Sequence, residues 1–182
     1  MQTDLTDSDE ALVERAQREL PYATGAYEAL VRRHERLVFG VCLRMLSNRA
    51  DAEDAYQDVL FKVFNALPRF EQRSSFRTWL MRIAVNACNT ALSRRKRRQE
   101  GVEEIDHEAE YEASPEIETA AFDVEKLLDQ LDADDRQLLV LRFVAEFSFD
   151  EIAEVMDLGL SATKMRIYRA VDRLKGRLSE DN

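Results

Sequence analysis

The stretch Ser148-Phe-Asp-Glu-Ile-Ala-Glu-Val-Met-Asp157, continued by Leu158-Gly-Leu-Ser-Ala-Thr-Lys-Met-Arg-Ile-Tyr-Arg-Ala-Val-Asp-Arg-Leu-Lys-Gly-Arg177, decides the reading of this chain. Ser148 is answered three residues later by Glu151, the hydroxyl-and-carboxylate arrangement of a capping box. Ile152, Ala153, Val155 and Met156 give the helix that follows an apolar face. A short break at residues 157–160 contains Gly159, and Ser161 is the expected cap of a second helix. That helix carries Lys164, Arg166, Arg169, Arg173, Lys175 and Arg177 against the lone carboxylate of Asp172. Met165, Ile167, Ala170, Val171 and Leu174 have the spacing of its inward face. A short helix, a tight turn and a cationic second helix are what entry into a DNA major groove requires. The chain is expected to bind DNA.

Working outward, the 182 residues are 45% hydrophobic and 34% charged, with 5 Gly and 3 Pro, a balance suited to an all-α protein. No apolar run approaches the ~20 residues of a bilayer span, and the start Met1-Gln2-Thr3-Asp4 is not a secretory signal. Cys42 and Cys88 fall in apolar helical patterns and do not form a disulfide framework. A cytoplasmic protein without membrane insertion is expected. The net charge of −10 argues against nucleic acid only until its distribution is read. Residues 99–135 hold fifteen Asp and Glu against one Lys, residues 69–98 hold nine Arg and Lys against Glu71, and residues 164–177 hold six cations against one carboxylate. Local patches govern contact with phosphates, and the total governs solubility.

Upstream, Asp7-Ser8-Asp9-Glu10 opens a first helix with Leu12, Val13 and Ala16 inward. Apolar residues at a 3.6-residue period predict a second helix over 22–46, a third from 50 or 51 to 67 stopped by Pro68, and a fourth over 75–98. In the third, Ala55, Val59, Leu60, Val63 and Phe64 point inward, whereas Asp54, Gln57 and Asp58 share another face at i, i+3 and i+4. The fourth has Trp79, Ile83 and Ala84 at core spacing, holds the polar amide of Asn86 among small apolar neighbours, and ends in Arg94-Arg-Lys-Arg-Arg98. Residues 99–118 are acidic and poor in large apolar groups, so they read as a flexible linker. Helical pattern resumes near Thr119. Asp132 and Asp134 are candidate caps for a helix over 136–144, ahead of the helix-turn-helix pair. The expected fold is all-α: a four-helix unit (1–98), an acidic linker (99–118) and a helix-turn-helix unit (119–182).

Three stretches in this order resemble the extracytoplasmic-function group of bacterial sigma factors, the smallest members of the sigma-70 family. Asp51-Ala-Glu-Asp-Ala-Tyr-Gln-Asp-Val-Leu-Phe-Lys-Val-Phe64 is similar to the family's core-polymerase-binding helix. Phe76-Arg-Thr-Trp-Leu-Met-Arg-Ile-Ala-Val-Asn86 with the Arg94–Arg98 run resembles its promoter-opening helix. Ile152-Ala-Glu-Val-Met-Asp157 with Lys164, Arg166 and Arg169-Ala170 resembles its second-domain helix-turn-helix. The family often has Asp where Thr90 stands and Arg where Ser93 stands, and commonly Gly at 157 and Pro at 159.

The resemblance implies a transcription initiation factor, with core RNA polymerase and promoter DNA as partners and an anti-sigma factor as a further one. It makes Asp54, Gln57 and Asp58 the polymerase-binding face, where opposite charge fixes orientation and speeds encounter. It sets Asn86 near the base pocket for the minus-ten element, with Arg77, Arg82, Arg94 and Arg95 as phosphate contacts; separated strands need a cationic track and places to hold exposed bases. At the minus-35 element, Ser161, Thr163 and Lys164 are the base-edge candidates and Arg166 and Arg169 lie nearer phosphate or flanking bases. The linker, ~65 Å long at roughly 3.3 Å per residue, joins the two units so that each raises the other's effective concentration. Its acidity suits a solubilising spacer or a segment that follows polymerase's cationic channel in place of nucleic acid.

A helix-turn-helix regulator working without polymerase would explain the C-terminal unit but not the Asp54-Gln57-Asp58 face. An enzyme finds no support: His34, expected at the surface or an edge, is far from His107, no Cys/His cluster has metal-ligand spacing, and no Gly-rich phosphate loop occurs. No catalytic residue, metal or cofactor is expected. With the last helix ending close to Asn182, no appended sensor domain is expected either.

Overall fold

The computed structural model of the chain describes residues 7–101, 128 and 131–180, and seven α-helices lie among them. Most of the acidic linker and the helical pattern that resumes near Thr119 lie outside the described residues, as does His107.

Helix α1 (Asp9–Glu19) starts on Ser8, whose hydroxyl accepts from the Ala11 amide at 3.2 Å. A side-chain acceptor here satisfies one of the amides that a helix start leaves without a partner. Leu12, Val13 and Ala16 are buried, and Gln17 Nε2 donates to the carbonyls of Leu67 and Phe70 at 3.0 and 2.7 Å. Helix α2 runs Gly25–Leu46, three residues later than the periodicity predicts. The amides of Tyr22 and Ala23 bond instead to the Glu19 carbonyl and close α1. Helix α3 (Arg49–Ala66) is capped by Asn48, and its end tightens into a 3₁₀ turn, Leu67–Arg69, that accommodates Pro68. Helix α4 (Phe76–Gln99) starts on Ser75 as expected.

Helices α1 to α4 enclose one core. Leu30, Val41, Ala52, Val59, Val63, Met81 and Ala84 are fully buried in it, and Cys42 and Cys88 bury there as free thiols. His34 departs from expectation: it is buried, its Nε2 2.7 Å from Asp9 Oδ2 and its ring tilted against Phe76 at 5.5 Å. Its sequence neighbours Arg33 and Glu35 suggest surface, but α1 folds across this point and covers the ring.

Helix α5 (Ala133–Leu139) is capped by Asp132, which accepts from the Asp135 amide at 2.8 Å; Asp134 lies in its first turn and is not the cap. It widens into a π-helical turn at Val140–Val144. Helix α6 (Phe149–Met156) carries the expected capping box, with the Ser148 amide on Glu151 Oε2 at 2.8 Å and the Glu151 amide on Ser148 Oγ at 3.2 Å. It ends on Asp157 at φ 53, the left-handed region that Asp tolerates better than most residues. Helix α7 (Leu160–Glu180) begins one residue before Ser161, so Ser161 sits in its first turn and does not cap it.

The two helical units are in contact. Helix α6 packs on α4, while α5 and the Val140–Val144 turn pack on α2, and the buried apolar residues of both units form one continuous cluster.

Truncating Leu30 to Ala is expected to lower stability by about 2–5 kcal/mol, since the buried site can collapse only in part. Ser148→Ala should cost about 1 kcal/mol through loss of the cap. Urea titrations followed by circular dichroism measure both.

Candidate nucleic-acid interface

Three surfaces emerge from this packing. The first is a groove between α3 and α4. Turning Ala55, Val59 and Val63 inward leaves Asp54, Gln57 and Asp58 exposed on the opposite side of α3, as the spacing predicts. Across a cavity of about 430 Å³ they face Arg94, Arg95 and Arg98 on the last turns of α4. One wall is anionic and the other cationic, so the two residue sets assigned to different partners in the sequence border the same recess.

The second surface lies farther along α4. Phe70 stacks on Trp79 at 4.6 Å between ring centres, and Phe76 packs against both. These aromatic rings therefore serve the core, as the spacing of Trp79 predicts. Asn86 differs from expectation, because it is exposed and needs no partner from its small neighbours. It opens onto a recess of about 600 Å³ lined also by Phe61, Lys62, Asn65, Ala66 and Ile83. Phe61 is 71% exposed, an unusual position for a ring that touches no core. Phe61 and Asn65 were not among the sequence candidates. The available signal was a large aromatic residue off the inward stripe of α3. Arg82, Arg94 and Arg95 are exposed, whereas Arg77 is half-buried against the C-terminal unit.

The third surface is the outer face of α7. Ile167 and Ala170 are buried, and Val171 and Leu174 pack against the core. The position one turn before Ile167 is Thr163, fully buried with its hydroxyl donating to the Gly159 carbonyl at 3.1 Å. Thr163 thus closes the turn and does not face outward as the base-edge assignment requires. Met165 moves the other way: it is 52% exposed and joins Ser161, Lys164 and the 57%-exposed Tyr168 on the outer stripe. An apolar count groups Met165 with the interior, but a helix phase fixed by Thr163, Ile167 and Ala170 turns residues 161, 164, 165 and 168 outward. Arg166 and Arg169 flank the stripe and are exposed. Phe149 supports it from α6, its ring 5.9 Å from that of Tyr168 and 5.8 Å from Lys164 Nζ.

The orientation of α7 is held at its other side by an ion pair between Arg173 and Asp135 of α5. Burial raises the Asp135 carboxyl above its ordinary range, with Asp132 adding to the effect and Arg173 opposing it. A raised folded-state value means that this group's contribution to stability is fully present below the ordinary value of 3.8 and lost as pH rises through the raised one. No helix among the described residues is long and apolar enough to cross a membrane, and no group of three or more His, Cys, Asp or Glu is placed to hold a metal ion there. Asp135→Asn is accordingly expected to gain stability relative to the unmodified chain between acid and neutral pH, which paired guanidinium titrations at the two pH values would register.

Comparison with known proteins converges on one family. Residues 30–98 match the family description "Sigma-70 region 2" and residues 121–174 match "Sigma-70, region 4". The ECF RNA polymerase sigma-E factor of Haemophilus influenzae is 30% identical, over 94% of this chain and 95% of that protein. The RNA polymerase sigma-H factor of Pseudomonas aeruginosa is 32% identical over 90% of each. Among solved structures, CnrH in complex with the cytosolic domain of CnrY aligns with a TM-score of 0.73 at 26% identity, covering 97% of this chain and all of that one. The sigma factor RpoE of Bartonella quintana, in complex with the anti-sigma factor NepR, aligns at 0.68 and 25% identity, covering 86% and 98%. With the two regions in family order and a relative 30% identical over nearly the whole chain, the chain belongs to the extracytoplasmic-function group of the sigma-70 family.

Proposed function

We propose that this chain binds core RNA polymerase through the carboxylate wall of α3, engages a promoter's minus-ten element with α4, and reads its minus-35 element with α7. The observation that carries this reading is the exposure, on one chain, of an anionic face on α3 and two separate cationic helix faces. Asp54, Gln57 and Asp58 meet a cationic partner helix on polymerase, where charge complementarity sets register. Arg94 and Arg95, on the facing wall, lie where that helix and the entering strand come together.

On α4, the recess beside Asn86 has the chemistry of a base pocket. An amide offers both donor and acceptor, and the faces of Phe61 and Ile83 exclude water from the base they cover. Holding an unstacked base there offsets the cost of unstacking, which favours the sequence that fits. Arg82, with Arg77 when it is free, supplies phosphate contact.

On α7, Ser161 and Lys164 reach base edges, Arg166 and Arg169 hold flanking phosphates, and Thr163 acts through the turn that positions them. Met165 and Tyr168 join the reading face. An apolar side chain there contacts the C5-methyl group of thymine. Residues 1–98 thus serve polymerase and the minus-ten element, residues 119–182 the minus-35 element, and residues 99–118 join them. This function involves no catalytic step by the chain itself and acts in the cytoplasm. By analogy with RpoE and its partner NepR, an anti-sigma factor is the proposed regulator.

Transcription reconstituted with core RNA polymerase on a promoter library, with start sites sequenced, tests the whole. Start sites sharing two spaced elements support it, and random initiation or none refutes it. Asp54→Lys combined with Asp58→Lys should weaken core binding about tenfold or more while leaving duplex binding by the C-terminal unit intact, because like charges at a docked face repel. Arg169→Ala should weaken duplex binding evenly across sequences and reduce its salt slope by about 1, whereas Met165→Ala should change which bases are preferred, at about 1–3 kcal/mol for a lost contact. Fluorescence anisotropy over a salt series separates the two.

A further inference from the structure

One side chain of α1 ties together the two ends of the turn that leads from α3 toward α4. Gln17 Nε2 donates to the Leu67 carbonyl at 3.0 Å and to the Phe70 carbonyl at 2.7 Å. Leu67 opens the 3₁₀ turn and Phe70 closes it, its own amide returning to the Leu67 carbonyl at 3.0 Å. A side-chain amide nitrogen has two hydrogens to donate, and both go to backbone here. Neither bond uses the side chains at 67 and 70, so what Gln17 fixes is the path of the chain.

That path bears on the recess beside Asn86. One wall of the recess is the end of α3, with Phe61, Asn65 and Ala66, and Leu67 follows Ala66 directly. The other wall is α4, with Ile83 and Asn86. Phe70 is joined to that helix by its ring, which stacks on Trp79 one turn before Ile83. The Leu67–Phe70 turn is therefore the joint between the two walls, and Gln17 holds it at both ends.

Beyond Phe70 the chain passes through exposed Glu71, Gln72 and Arg73, with Gln72 in the left-handed region at φ 53. The ion pair of Arg73 with Glu71 is exposed on both sides and contributes little. This stretch therefore offers little to fix the spacing of the walls. A binding site held about 1 Å too loosely loses its selectivity, however well its contact residues are chosen. The support has to come from behind the turn, where α1 lies.

We infer that Gln17 is a positioning residue for base selection: by clamping the Leu67 and Phe70 carbonyls it sets the gap between α3 and α4 in which one base of the minus-ten strand is held. Its effect on the base passes through the turn and requires no contact of its own with DNA. Asn86 and Phe61 meet the base, and Gln17 decides how far apart they stand. The inference rests on the reading of the recess as a base pocket.

The test uses the full chain with core RNA polymerase on promoters randomised at both elements, with start sites sequenced. Gln17→Met keeps the length of the side chain and removes its donors. Gln17→Asn keeps the amide but is one methylene too short to span both carbonyls. Ser8→Ala weakens α1 through its cap and leaves Gln17 in place, so it controls for loosening of that helix. Both Gln17 variants are expected to lower the base preference at one minus-ten position about fivefold, the weight of a single hydrogen bond. Preferences at the remaining minus-ten positions and throughout the minus-35 element should stay as they are, and Ser8→Ala should leave all of them unchanged. An unaltered preference in both Gln17 variants overturns the inference, as does a loss spread evenly over the two elements or an equal loss in Ser8→Ala. Where Gln17→Met does not fold, Gln17→Asn carries the test; initiation abolished in both beside an active Ser8→Ala would assign Gln17 to folding and overturn the inference too. No preference at any minus-ten position in the unmodified chain would instead remove the reading of the recess, and the inference with it.

Discussion

The burial of one apolar stripe along α4 organises this molecule. Phe76, Leu80, Ala84, Ala87 and Cys88 turn inward against α1, α2 and α3, and this fixes the rotation of the helix about its axis. Once that rotation is set, Asn86 must open onto the recess beside Phe61, and Arg94 and Arg95 must face the carboxylates of α3. Removing apolar area from water is worth roughly 25 cal/mol per Å², whereas exposed ion pairs contribute little. The stripe therefore decides the placement of the cations, which follow it.

The same logic runs through the C-terminal unit at smaller scale. Ile167 and Ala170 are buried against α5 and α6, and Thr163 completes their row through a bond to the turn. The ion pair of Arg173 with Asp135 adds orientation at a cost, since burial disfavours the charged carboxylate. Packing on one side and a charged contact on the other thus hold α7, the helix proposed to read DNA, at a defined angle.

Charge in this chain is arranged by segment and not by average. A net charge of −10 coexists with exposed cationic faces on α4 and α7 because the carboxylates gather in residues 99–135 and along α3. Opposite charges also face each other between the two units, where Arg77 lies near Glu151 and Arg82 near the exposed Asp157.

The helix starts near Ser8 and Ser75, the capping box at Ser148, the acidic face of α3 and the cationic run of α7 were all legible in the sequence. Each is a local property, written in residues within a few positions of one another. What tertiary structure decided was phase and contact. His34 is buried because α1 crosses it, Thr163 turns inward while Met165 turns out, and α6 rests on α4 with two of its arginines engaged. Those outcomes depend on which distant surface excludes water from a side chain, and no short stretch of sequence carries that information.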